Sequence, residues 1–108
     1  MTPTQRTLAE LKRRGYTSAI VERWNQWAKI RQDLYGFIDV VAIKPDENGV
    51  LAVQCTSDAH VAERTTKING LPAAQVWLKA GNRIVVWGWG KKGKAGKRKL
   101  WTLREVAL

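Results

Sequence analysis

Asp39 is the residue whose setting most needs a chemical reason. It lies in Phe37-Ile38-Asp39-Val40-Val41-Ala42-Ile43, a run that is otherwise apolar and reads as a central strand buried on both faces. A lone carboxylate in such a strand is costly to bury unless something positive meets it. A bound divalent cation would be that partner. Val50 to Thr56 reads as the next strand, with Leu51, Val53 and Cys55 on one face and Ala52, Gln54 and Thr56 on the other. Pro45-Asp46-Glu47-Asn48-Gly49 between them is a turn by composition. If Asp46 to Gly49 make that turn, Pro45 faces Val50, and Asp39 stands opposite Thr56 and diagonal to Gln54. Diagonal neighbours lie about 7–8 Å apart, close enough for two side chains to share an ion. The Gln54 amide oxygen is a suitable hard donor. The Cys55 thiol alternates to the other face and packs in the core.

These residues need elements to position them. Thr2-Pro3-Thr4-Gln5 has a cap, a proline for the first helical position and the Gln of a capping box. The helix it starts should run to about Arg14 and stop at Gly15. Thr17 to Trp24 reads as a strand, and Asn25 to Tyr35 as a loop or irregular hairpin. Ser57 and Asp58 supply helix-start chemistry for a helix running to Ile68, with Asn69-Gly70 as its stop. On it His60, Arg64 and Lys67 share one face, beside the more apolar stripe of Val61, Thr65 and Ile68. Pro72 to Ala80 reads as a short helix closed by Gly81. Arg83 to Trp89 and Lys99 to Val106 read as strands joined by a flexible tip, Gly90 to Arg98. The order α-β-β-β-α-α-β-β predicts one α/β domain over residues 1–108, in two or three layers with a mixed sheet.

Charge is spread unevenly over this frame. Lys and Arg number 19 against 9 Asp and Glu, a net charge of +10. Residues 1–35 carry +4, residues 36–75 carry −2 and residues 76–108 carry +8. Lys91, Lys92, Lys94, Lys97, Arg98 and Lys99 crowd the last hairpin, a projection suited to tracking a phosphate backbone. Six phosphate contacts would give a slope of log K against log salt of about −5 on duplex DNA. Six tryptophans stand at 24, 27, 77, 87, 89 and 101. Core packing suits most of them, with Trp87, Trp89 and Trp101 able to group as core or as a platform. Trp24 and Trp27, set among Arg23, Lys29 and Arg31, could instead stack on unpaired bases or wedge a junction. One Cys and one His exclude an internal disulfide and a closed zinc site. The longest nearly apolar run is too short to span a bilayer, and the first residues lack a secretory pattern. A cytoplasmic protein that meets nucleic acid is the expectation, with no membrane partner.

Gly36-Phe37-Ile38-Asp39, a turn, then Gln54-Cys55-Thr56 resembles the paired motifs of the PD-(D/E)XK nuclease superfamily. The likeness covers about residues 4 to 90 and is greatest to compact Holliday-junction resolvases and small VRR-type nucleases. It implies a restriction-endonuclease-like αβββαβ core with a mixed central sheet flanked by helices, plus the basic C-terminal hairpin with its tip at 90–99. It also implies Mg²⁺ (or Mn²⁺) held by Asp39, Gln54, the backbone oxygen of Cys55 and a third carboxylate. Glu22 is favoured for that third place over Glu10 on the first helix, with Asp33 a further candidate. Ile38 stands where the family often has Pro, Gln54 where Glu or Asp is usual, and Thr56 where Lys is expected. Mrr-type members also carry Gln at the second of these places. The missing lysine points to a relocated cation, Arg64 or Lys67, with His60 positioning water. The activity implied is metal-assisted hydrolysis of DNA phosphodiesters, structure-selective for branched or single-stranded DNA. The setting would be phage- or mobile-element-like, acting in the host cytoplasm, and a homodimer would cut both strands. The alternatives are a catalytically impaired DNA- or RNA-binding module on the same fold, or a basic RNA-associated protein of unrelated α/β fold. In the last case Asp39 would have an ordinary salt-bridge partner.

Overall fold

A computed structural model describes residues 1–108 and places five strands in one mixed sheet with helices on both faces. The first helix, α1 (Pro3–Arg13), starts as its sequence prescribes. Thr2 Oγ1 accepts the Gln5 N–H at 3.1 Å, and Gln5 Oε1 accepts the Thr2 N–H at 2.9 Å, which satisfies two orphan donors of the first turn. Gly15, at φ 90°, ends it. The remaining elements are β1 (Thr17–Ile20), β2 (Arg23–Asn25), β3 (Ile30–Gln32), β4 (Val40–Ile43), β5 (Leu51–Ser57), α2 (Val61–Asn69), α3 (Pro72–Lys79), β6 (Arg83–Lys92) and β7 (Leu100–Ala107), with a 3₁₀ turn at Asp58–His60.

The main sheet has the order β1-β4-β5-β6-β7, and β2 pairs only with β3. Every pairing is antiparallel except β5 with β6. Parallel neighbours cannot be joined by a tight hairpin, and α2 and α3 make the crossover. Leu11 of α1 packs with Val40, Ala42, Leu51, Val53 and Trp87 on one face of the sheet. Phe37, Ile38, Ala52, Val61, Ile68, Ala74, Ile84 and Val86 fill the other. The domain therefore has three layers. No helix is long and apolar enough to cross a membrane.

Four expectations are corrected. The strand expected over Thr17–Trp24 breaks after Ile20, because the N–H groups of Val21 and Glu22 both turn to the Asp39 carbonyl, at 2.9 and 3.3 Å. Arg23 and Trp24 then open the separate β2–β3 hairpin. The strand expected over Phe37–Ile43 begins only at Val40. Tyr35 and Gly36, at φ 55° and 82°, curl the chain so that the Ile38 N–H returns to the Leu34 carbonyl. Phe37 and Ile38 are buried all the same.

The register also differs, since Val40 pairs with Val53 and Ala42 with Leu51. That is two residues from the pairing of Pro45 with Val50. The β-turn is Lys44–Glu47, closed by the Glu47 N–H on the Lys44 carbonyl at 3.1 Å, with Pro45 at its favoured second position. Val50 is taken instead by Asn82 Oδ1 on its N–H at 2.9 Å and by the Arg83 N–H on its carbonyl at 3.0 Å. At the last hairpin, β6 runs on to Lys92 and β7 starts at Leu100. Lys91 and Lys92 are thus ladder residues, and the tip is Gly93 to Lys99.

The start of α2 sits directly on β6. A Cβ at Gly88 would lie 2.1 Å from Val61 Cγ2 and 3.1 Å from the Ser57 carbonyl oxygen. Gly88→Ala is expected to destabilise the fold by about 1–3 kcal/mol through overpacking, read as a lower urea midpoint with unchanged slope. An unchanged midpoint would mean that α2 is free to shift, and with it the basic residues it carries.

Candidate metal centre and its cleft

The break in β1 and the bend at the head of β4 build one site. The Asp39 N–H donates to the Val53 carbonyl at 3.1 Å, although the ladder pairs Val53 with Val40. Two residues of one strand thus face one of the other, the geometry of a β-bulge, which re-aims side chains. From the break the β2–β3 hairpin carries the chain out and back. It is closed by Asn25, whose Oδ1 accepts the N–H groups of Trp27 and Ala28 at 3.0 Å each. Asp33 follows directly on the return. The carboxylate oxygens of Glu22, Asp33 and Asp39 then lie within 4.8 Å of one another.

Asp39 is only 4% exposed, while Glu22 and Asp33 are half-buried. Gln54 Nε2 donates to Asp39 Oδ2 at 2.5 Å and reaches Asp33 Oδ2 at 3.4 Å. The Cys55 N–H donates to the same Asp39 oxygen at 2.8 Å. Glu22 accepts from Arg31 at 3.2 Å, but neither Asp33 nor Asp39 has an ion-pair partner. The salt bridge that a purely structural Asp39 would need is absent. Burial first, then the contact with Asp33 and the charges of Asp33 and Glu22, push the Asp39 carboxyl up to about 8, against the pull of the Cys55 N–H.

A pH dependence follows. The folded protein holds a proton on Asp39 between its ordinary 3.8 and about 8, where the unfolded chain has released it. The stabilisation is complete below that window and is lost as pH rises through it, with a slope approaching about 1.4 kcal/mol per pH unit. In a chelating buffer the urea midpoint should fall from pH 5 to pH 8, and Asp39→Asn should flatten the fall. A wild-type profile no steeper than that of the variant would mean Asp39 ionises without penalty.

Whether a cation suits these residues can be judged from Gln54. Its side chain is 2% exposed, and its Oε1 is buried with no hydrogen-bond partner. The amide turns its NH₂ toward the carboxylates, as it must when nothing else neutralises them. Rotation about its last bond would present the oxygen in place of the nitrogen. Three carboxylates and an amide oxygen form an all-oxygen set that suits a hard divalent cation. The Cys55 backbone points to the same side, as its N–H bond shows, so its carbonyl is available there too. Burial pushes the Cys55 thiol up to about 12, so it remains protonated and is no nucleophile.

Beside the acids, Arg31, Gln32, Asp33, Gly36, Arg64 and Lys67 line a cleft of about 540 Å³ that has no hydrophobic residue in its wall. Arg64 and Lys67 of α2 thus share this cleft with Asp33, the one member of the cluster that lines it. Arg64 Nε is buried there without a partner. His60 does not join them. It lies in the 3₁₀ turn, exposed, with Nδ1 shared with Ser57 Oγ at 2.6 Å. Thr56 is buried and bonds to none of the acids. Asp33 is a full member of the cluster rather than a lesser candidate.

The other basic residues divide between two surfaces. Arg23, Lys29 and Arg31 are exposed on the β2–β3 hairpin, where Arg31 lines the cleft. At the C-terminal hairpin, Lys94, Lys97, Arg98 and Lys99 are exposed. Lys91 Nζ lies 5.5 Å from the Trp101 ring centre and Lys92 Nζ 3.4 Å from Asp58 Oδ2. The tryptophans expected to group together line the α1 side. Trp87 is buried, Trp89 Nε1 donates to Thr7 at 3.0 Å and Arg6 covers Trp101 at 3.7 Å. Comparison with family models, with curated proteins and with solved structures gives no match.

Proposed function

We propose that this protein is a divalent-metal-dependent endonuclease acting on DNA, with its centre at Glu22, Asp33, Asp39 and Gln54. The observation that carries the reading is the convergence of three carboxylates, their oxygens within 4.8 Å, on a buried amide whose Oε1 has no partner. Arg64 and Lys67 across the same cleft add the positive charge that Thr56 does not supply. The order helix, three antiparallel strands, helical crossover and parallel strand supports the resemblance to restriction-endonuclease-like nucleases.

Bound Mg²⁺ or Mn²⁺ would neutralise a phosphodiester oxygen and acidify an attacking water. The chain does the rest. Asp39, Asp33 and Glu22 would hold the ion, and Asp39 would release to solvent the proton that its burial retains. Gln54 would turn its Oε1 toward the ion, giving up the Nε2 contact with Asp39 that it makes otherwise. Arg64 and Lys67 bind the non-bridging phosphate oxygens and offset charge building on them. The basic hairpin tip grips the backbone at a distance, and a two-fold dimer would bring a second centre to the opposite strand. Incubating the protein with branched, single-stranded and duplex DNA should yield products with Mg²⁺ or Mn²⁺ and none with EDTA. No product on any substrate would favour a binding module on the same fold, the reading that Thr56 invites.

A further inference from the structure

We propose that the groove along the β2–β3 hairpin is a stacking site for unpaired nucleotides, and that it feeds a single strand into the metal centre. The inference rests on the nucleic-acid reading above, but its test needs no cleavage. Trp24, Trp27 and Tyr35 line this groove of about 530 Å³, whose walls are half apolar. They are 60%, 98% and 62% exposed. Large aromatic side chains normally bury most of their surface, and three of them are left largely exposed around one groove, although Tyr35 also tilts against Trp77 with ring centres 6.5 Å apart.

Their exposure is not slack. The Trp27 backbone is held by Asn25 Oδ1, and Asn25 Nδ2 bonds to Gln32 Oε1 at 3.1 Å. Tyr35 sits at φ 55°, an unusual conformation for a bulky side chain, and this region of the map often marks a functional position.

Charge selects the occupant. Arg23, Lys29 and Arg31 stand on the same hairpin, and only Arg31 is paired with an acid. Flat apolar faces flanked by free cations suit bases with their phosphates better than an apolar protein segment. A duplex keeps its base faces stacked on one another, so only unpaired bases can use these rings. Asp33 lines both this groove and the cleft that holds Arg64 and Lys67. A strand stacked on Trp24 and Trp27 therefore has its next phosphates directed at the carboxylates.

The experiment is fluorescence anisotropy in EDTA with three labelled probes: a thymidine oligonucleotide of about twelve nucleotides, an abasic strand of equal charge and a blunt duplex. Trp27→Ala and Trp24→Ala should each weaken binding of the thymidine strand about tenfold, with Trp24→Phe restoring most of the loss. Binding of the abasic strand and of the duplex should stay within about twofold of wild type, since stacking is absent there. Trp27 is almost wholly exposed, so its removal leaves the fold intact, checked by an unchanged urea midpoint. Equal losses on all three probes, or none on the thymidine strand, overturn the proposal and leave a protein-docking face as the use of these rings. Metal-dependent cleavage with unchanged thymidine binding in both variants overturns this inference alone. Selective loss in a protein that cuts nothing overturns the nuclease reading alone.

Discussion

Asp39→Asn is expected to reduce Mg²⁺-dependent DNA cleavage by about 10³-fold or more while leaving DNA affinity within about twofold. Asn keeps the shape of the side chain and an oxygen to accept the Cys55 N–H, which donates at 2.8 Å in the wild type. What it removes is the most buried of the three negative charges that gather a cation. It also removes the protonation that burial imposes on Asp39 below about pH 8, so the variant should unfold no more easily than wild type at neutral pH. Loss of activity with retained stability separates a chemical role from a structural one. Asp39→Ala is the poorer test, because it strands the Cys55 N–H as a buried unsatisfied donor and leaves Gln54 Nε2 only its long contact with Asp33 at 3.4 Å. Cleavage retained in Asp39→Asn would remove the metal centre from this cluster.

The second large effect concerns the C-terminal hairpin. With Lys91 beside Trp101 and Lys92 on Asp58, its free cations are Lys94, Lys97, Arg98 and Lys99. Changing those four to Gln should make the slope of log K against log salt shallower by about 3.6 on duplex DNA. Between 50 and 200 mM salt the wild type should then lose about a hundredfold more affinity than the variant. The turn itself should survive, since it is held by the Lys97 N–H on the Lys94 carbonyl at 3.0 Å and by Gly96 at φ 77°. A slope that shifts by less than about one would mean that phosphate is gripped elsewhere, with Arg23 and Lys29 the next cations to test.

Local signals were legible in the sequence where local chemistry decides. The capping box at Thr2 and the stop at Gly15 needed no partner, and the start of α3 at Pro72 and its closure at Gly81 were equally self-contained. Asp39 and Gln54 stood out because polar groups in apolar strands require a reason. The register between their strands did not, since Val50 is claimed by Asn82 and Arg83, 32 and 33 residues downstream. Asp33 was hard to weigh for a similar reason. It joins Glu22 only because β1 breaks on the Asp39 carbonyl, a backbone event with no side-chain signature. His60 shows the converse error: helical spacing aligned it with Arg64 and Lys67, but Ser57 draws it into a 3₁₀ turn before the helix begins.

The long β6–β7 ladder also sets a length scale. Gln54 lies level with Val86, and Lys94 comes eight residues further along the same arm. At about 3.3 Å per residue the gripping cations stand about 26 Å from the level of the carboxylates. That distance is the rise of about seven to eight base pairs. The arm thus acts as a ruler. If the protein is the nuclease proposed, DNA shorter than this on one side of the scissile phosphate would occupy the cleft or the tip but not both, and the hairpin would set a minimum substrate length.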